Sequence, residues 1–183
     1  MVTLKSFARG GGYRQEGLKS YTGPYKVTQE VTAGEVVLAC TDVTQAGEVI
    51  GRPALVRPSI RFDRLVASQD VAIVRPRSRQ ITPAFLYFAL GTHEFTEHAR
   101  AYSTGTTVLH LDTRCVPAYP LRVPPAELLQ RWDEFAARTL SRIALVEQES
   151  ASLAAIRDTL LPRLISGDLR LKDADQLVEA VSA

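Results

Sequence analysis

Three stretches carry residue types that could do chemistry. His93-Glu94-Phe95-Thr96-Glu97-His98 offers two imidazoles and two carboxylates, the donor set of a zinc hydrolase. That site needs histidines four residues apart, one turn above the other; these are five apart, about 140° out of phase on a helix, and the spacing excludes it. Phe7-Ala8-Arg9-Gly10-Gly11-Gly12 is rich enough in glycine to approach a phosphate. A dinucleotide loop would need glycine where Gln15 stands and a strand before it. The phosphate loop ending in Gly-Lys-Ser/Thr and the serine nucleophile elbow are both missing. Val123-Pro124-Pro125-Ala126 lacks the Asn/Asp and the aromatic that flank the catalytic prolines of an amino-methyltransferase. The remaining set is non-catalytic. Tyr13, Arg14, Lys19, Tyr21 and Lys26 interleave phenols with cations, and Arg75, Arg77 and Arg79 alternate. Such side chains contact phosphates and base edges, or simply solvate a surface.

The elements that would position them are short. Gly34-Glu35-Val36-Val37-Leu38-Ala39-Cys40 reads as a buried strand entered by a turn, and Ala54-Leu55-Val56 and Asp70-Val71-Ala72-Ile73-Val74-Arg75 as further strands. The cluster Thr41-Asp42-Val43-Thr44-Gln45 lies just past the first strand. Thr82-Pro83 predicts a helix start, with Thr82 as cap, and Gly91 its end. A second helical piece is expected from about 92 to 102, an apolar stretch at 108–111, and an edge strand at 119–123. Between Pro125 and Pro162 no proline or glycine occurs, so nothing local stops a helix. Leu129, Trp132, Ala136, Ile143, Val146, Leu153 and Leu160 recur at steps of three, four or their sum of seven, a heptad-like seam that asks for a partner helix. The expected class is α+β: a mixed, strand-rich domain with small helices over 1–124, one long coiled-coil-type helix over 125–166, and a tail over 167–183.

Composition narrows the function. The chain is 183 residues long, 45% apolar and 23% charged, as in a folded globular protein. It shows no membrane span and no extended apolar leader. Cys40 and Cys115 lack metal-site spacing and read as buried thiols in a reducing cytoplasm, so a cytoplasmic location is expected. Residues 1–80 hold 12 basic against 7 acidic side chains and the rest 10 against 13, which suits a nucleic-acid-facing front and a protein-facing back.

Several segments together resemble the specificity subunit of Type I restriction-modification enzymes. They are the Gly105-Thr106-Thr107 loop, Val123-Pro124-Pro125 before a long helix, Leu153-Ala154-Ala155-Ile156-Arg157-Asp158-Thr159-Leu160-Leu161-Pro162 within it, and Leu164-Ile165-Ser166-Gly167-Asp168-Leu169-Arg170 at its end. At the front, Gly12-Tyr13-Arg14, Tyr21-Thr22-Gly23 and Ala39-Cys40-Thr41-Asp42-Val43-Thr44-Gln45 resemble some target-recognition domains. The resemblance covers about residues 5–172. It implies a non-catalytic subunit that reads half of a split double-stranded DNA target and docks a DNA methyltransferase subunit, with a restriction subunit in some complexes. S-adenosylmethionine would be bound by the methyltransferase, not by this chain. DNA-facing residues would be Tyr13, Arg14, Lys19, Tyr21, Lys26, Thr41, Asp42, Thr44, Gln45, Arg52, Arg75, Arg77, Thr104, Gly105, Thr106 and Thr107. A full subunit carries two recognition domains and two long helices; one of each here fits a natural half-subunit, a fragment or a remnant, and a half-subunit would homodimerise through the seam. The other reading is a dimerising scaffold, or a remnant of such a subunit, without DNA contact.

Overall fold

The computed structural model describes residues 1–44 and 46–169. Its elements are β1 (Glu30–Val31), β2 (Val36–Ala39), β3 (Thr41–Asp42), β4 (Pro53–Leu55), β5 (Leu65–Val66), β6 (Val71–Val74), α1 (Pro83–Leu90), α2 (His93–Ala101), β7 (Ser103–Thr104), β8 (Leu109–Leu111), α3 (Cys115–Ala118) and α4 (Ala126–Ile165). The strands pair antiparallel in three small sheets, ordered β1-β5, β4-β2-β6 and β3-β8-β7. With the helices they make an α+β fold.

The run Val36-Val37-Leu38-Ala39 explains the layering. Successive side chains of a strand point to opposite faces, so an unbroken apolar run needs a core on each side. Val37 and Ala39 pack with Val2, Phe7, Tyr13, Leu18 and Val56 from the loops that precede and follow β2. Val36 and Leu38 pack with Leu86, Leu90, Phe95 and Ala99 of α1 and α2. All four β2 residues are fully buried. Burying each valine or leucine contributes about 1.5–3 kcal/mol. The sheet is thus a partition between a loop-built core and a helix-built core.

α1 begins where the sequence predicts. Thr82 accepts from the Phe85 N–H at 3.1 Å, and Pro83 takes a first-turn position whose missing N–H costs nothing. The same Thr82 hydroxyl donates to Asp133 Oδ1 at 2.6 Å, while Phe88 meets Trp132 edge-on at 5.5 Å. The start of α4 is thereby fastened to α1.

The expected strand at 119–123 is corrected. α3 precedes it, and residues 119–125 carry no strand. Prolines at 117, 120, 124 and 125 remove the N–H donors that a ladder would need.

The chain divides into two compact units, Met1–Glu134 and Phe135–Ala183. Within the second, the Leu169 N–H reaches back to the Arg163 carbonyl at 3.0 Å, and Leu169 is buried. Gln45 and, of the expected tail, residues 170–183 lie outside the described residues. Among the described residues no helix is long and apolar enough to cross a membrane.

Candidate nucleic-acid interface

The basic loops of Met1–Glu134 are anchored at their bases by specific bonds. Gln15 Nε2 donates to the Pro58 carbonyl at 2.7 Å, tying the turn after Arg14 to the 57–64 loop. The Tyr25 hydroxyl donates to Glu30 Oε1 at 3.0 Å, and Glu30 opens β1, which pairs with β5 just past Arg64. Arg75 donates through Nε to Glu35 Oε1 at 2.5 Å and through Nη2 to the Glu30 carbonyl at 2.8 Å. Burial pushes the Glu35 carboxyl up, but the bonds from Arg75 and Thr32 outweigh it and hold the group below its ordinary value. These bonds gather residues 14–30, 57–64 and the end of β6 into one charged surface.

A second group forms around Asp42. Its Oδ1 accepts from the Thr44 N–H and hydroxyl, both at 2.7 Å, and its Oδ2 from Val49 N at 2.6 Å and Ile50 N at 3.1 Å. Burial raises its pKa, but these four bonds prevail and hold it below the usual carboxylate value. β3, which carries Asp42, pairs with β8 and so meets the hairpin that bears the 104–107 loop. That hairpin turns at Gly105, at φ +111°. A Cβ there would stand 2.0 Å from the Val108 carbonyl oxygen, so only glycine closes the turn.

The surroundings of the expected DNA-facing residues differ from one to the next. Tyr13 is 6% exposed and belongs to the loop-built core. Burial pushes its hydroxyl up to about 12, opposed by Arg57. Thr41 is buried and donates to Asp70 Oδ1 at 2.8 Å, and Asp42 is 2% exposed. None of the three presents a side chain outward; they shape the loops. Arg52 is half-buried, with Nη1 donating to Thr96 Oγ1 at 2.9 Å. Arg75 is exposed but held by Glu35. Thr44 is half-buried on Asp42, and Gln45 is outside the described residues. Arg14 is exposed and paired with Glu16 at 2.7 Å. Lys19, Tyr21, Lys26, Arg77, Thr104, Gly105, Thr106 and Thr107 are exposed. Arg57, Arg61 and Arg64 add cations that the sequence patterns did not single out. Their signal was there, as three arginines within eight residues around Pro58-Ser59, but without the regular spacing of Arg75, Arg77 and Arg79.

The seam residues divide as well. Leu129 and Ala136 are buried and Trp132 half-buried against Phe88, so the first three turns of α4 do not offer them to a second chain. Ile143, Val146 and Leu153 are 39%, 44% and 60% exposed, and Leu160 is half-buried.

The other chemical candidates are structural. His98 Nε2 lies 2.9 Å from the Cys115 carbonyl, with its ring against Tyr102 and Tyr119. Burial pushes both thiols, Cys40 and Cys115, up to about 11, far from a reactive thiolate. Among the described residues no group of three His, Cys, Asp or Glu side chains is placed to hold a metal. Comparison with protein-family models and with curated proteins returned no match.

Proposed function

We propose that the chain is a non-catalytic DNA-specificity module of the Type I restriction-modification kind. It reads half of a split duplex target through its basic loops and docks a DNA methyltransferase, which binds S-adenosylmethionine. What supports the reading is one combination. A strand-rich unit bearing anchored basic loops runs into a 40-residue helix whose apolar residues Ile143, Val146 and Leu153 stay exposed. Those residues are the surface on which a coiled coil with a second copy would form, and a two-fold pair reads a palindromic split site.

The deciding experiment compares genomic methylation with and without the gene. Loss of one split adenine-methylation motif is the expected result, and an unchanged methylome rejects the reading. In solution, about five neutralised phosphates give a slope of about −4.5 for log K against log salt concentration. Arg77→Ala is expected to weaken binding to all duplexes alike and to lower that slope by about 1. A second reading, a dimerising scaffold without DNA contact, draws on the ion pairs that already engage Arg9, Arg14, Arg75 and Arg114. Absence of any duplex binding at low salt would favour it.

A further inference from the structure

Among the described residues, the large apolar side chain that stands most completely clear of the fold is Ile60, at 101% relative exposure. A single exposed aliphatic residue is ordinary. What distinguishes Ile60 is how its loop is held. On one side the Pro58 carbonyl accepts from Gln15 at 2.7 Å. On the other, the Arg61 N–H donates to Ser59 Oγ at 3.2 Å, and the Arg61 guanidinium lies over the Phe62 ring at 5.4 Å. Phe62 in turn packs on the loop-built core, and directly after Arg64 the chain enters β5, which is paired with β1. The loop therefore presents an aliphatic tip from a braced base, so little ordering remains to be done on binding.

Charge decides the partner. Within residues 57–64, Arg57, Arg61 and Arg64 flank the tip against one carboxylate, Asp63, and Glu30 beside Arg64 still leaves cations in excess. One isoleucine is too small a patch to hold a protein, but an apolar side chain among cations matches the chemistry of a duplex. The apolar group enters a base step while guanidinium groups hold the neighbouring phosphates. We propose that Ile60 is a wedge that partly unstacks one base step of the bound DNA, with Arg61 on an adjacent phosphate. The inference rests on the proposed DNA binding and adds to it a readout by deformability. The step entered would be a pyrimidine–purine step such as TA or CA/TG, which unstacks most readily.

The test uses duplexes retained by the full chain from a randomised double-stranded library, probed with permanganate, which oxidises unstacked thymines. Wild type should give a hyperreactive thymine at a fixed position within an enriched TA or CA/TG step. Ile60→Ser should reduce that reactivity at least about tenfold while duplex affinity falls by less than about tenfold, because phosphate contacts carry most of it. Ile60→Leu should retain the reactivity. The melting temperature should be unchanged in both variants, because the side chain is fully exposed. Duplex bound by wild type without a hyperreactive thymine, or equal reactivity in Ile60→Ser, overturns the wedge. If wild type retains no duplex at all, the DNA-binding reading falls first and takes the wedge with it.

Discussion

Asp42→Ala is expected to destabilise the Met1–Glu134 unit by about 3 kcal/mol, measured by urea denaturation. The substitution strips an acceptor from four donors at once: the Thr44 N–H and hydroxyl and the Val49 and Ile50 N–H groups. The hydroxyl can turn to water. The three N–H groups sit in a part-buried to buried setting, and each one left unpaired costs about 1–3 kcal/mol. Asp42→Asn should fall between wild type and Ala. Its amide keeps one oxygen for one pair of donors but sets an NH2 against the other pair. Thr44→Val, which removes the hydroxyl's bond to Asp42 and the long 3.4 Å bond it accepts from the Glu48 N–H, should cost about 1–2 kcal/mol. The acid limb gives an independent check. The folded-state pKa of Asp42 lies below its ordinary 3.8, so the unfolded chain takes up the proton first. Its contribution is present above that ordinary value and is lost as pH falls through the folded pKa. Asp42→Ala should therefore flatten the loss of stability below about pH 4. A loss under about 1 kcal/mol at neutral pH would show that the loop does not depend on this carboxylate.

Gly17→Ala is expected to cost at least about 3 kcal/mol and to lower the melting temperature by about 10 °C. Backbone freedom is not the reason. A Cβ at position 17 would stand 1.9 Å from the Lys5 carbonyl oxygen and 2.6 Å from the Ser6 nitrogen. Both are main-chain atoms, so no rotamer change relieves the overlap. The 4–6 and 15–17 turns must separate, and Val2, Phe7 and Leu18 of the loop-built core lie beside them. Calorimetry should show the full shift in Gly17→Ala and a smaller one in Gly34→Ala, where a Cβ meets open space and only the φ of +89° costs about 1–2 kcal/mol. Equal effects at the two positions would contradict the steric argument.

The parts of the fold legible in the sequence are those governed by neighbours in the chain. β2 follows from four apolar residues in a row, α1 from Thr82-Pro83, and α4 from the stretch without glycine or proline. The candidate site was less legible because its side chains are occupied by distant partners. Arg75 looks like a free cation until Glu35, 40 residues away, closes on it, and Arg52 until Thr96 does, 44 residues on. Tyr13 sits among glycine and arginine, as an exposed phenol would, yet the loops of 1–18 form a wall of the first core. Asp42 has the composition of a loop tip, but backbone N–H groups seven and eight residues later consume its lone pairs. Such pairings have no local pattern to betray them.

The Asp42 carboxylate grips its loop at the near end, at Thr44, and at the far end, at Val49 and Ile50. Whatever lies between is enclosed by a clasp, and the clasp does not depend on the enclosed residues' side chains. Closing a longer loop costs only about 0.6 kcal/mol per doubling of its length. Closure entropy is therefore not what fixes this loop; Gly47, buried beside Leu109 at φ +60°, and Glu48, paired with Arg9 at 3.3 Å, hold its far half. The clasp holds as long as the aspartate and its two backbone moorings stay in place, whatever the loop is asked to do.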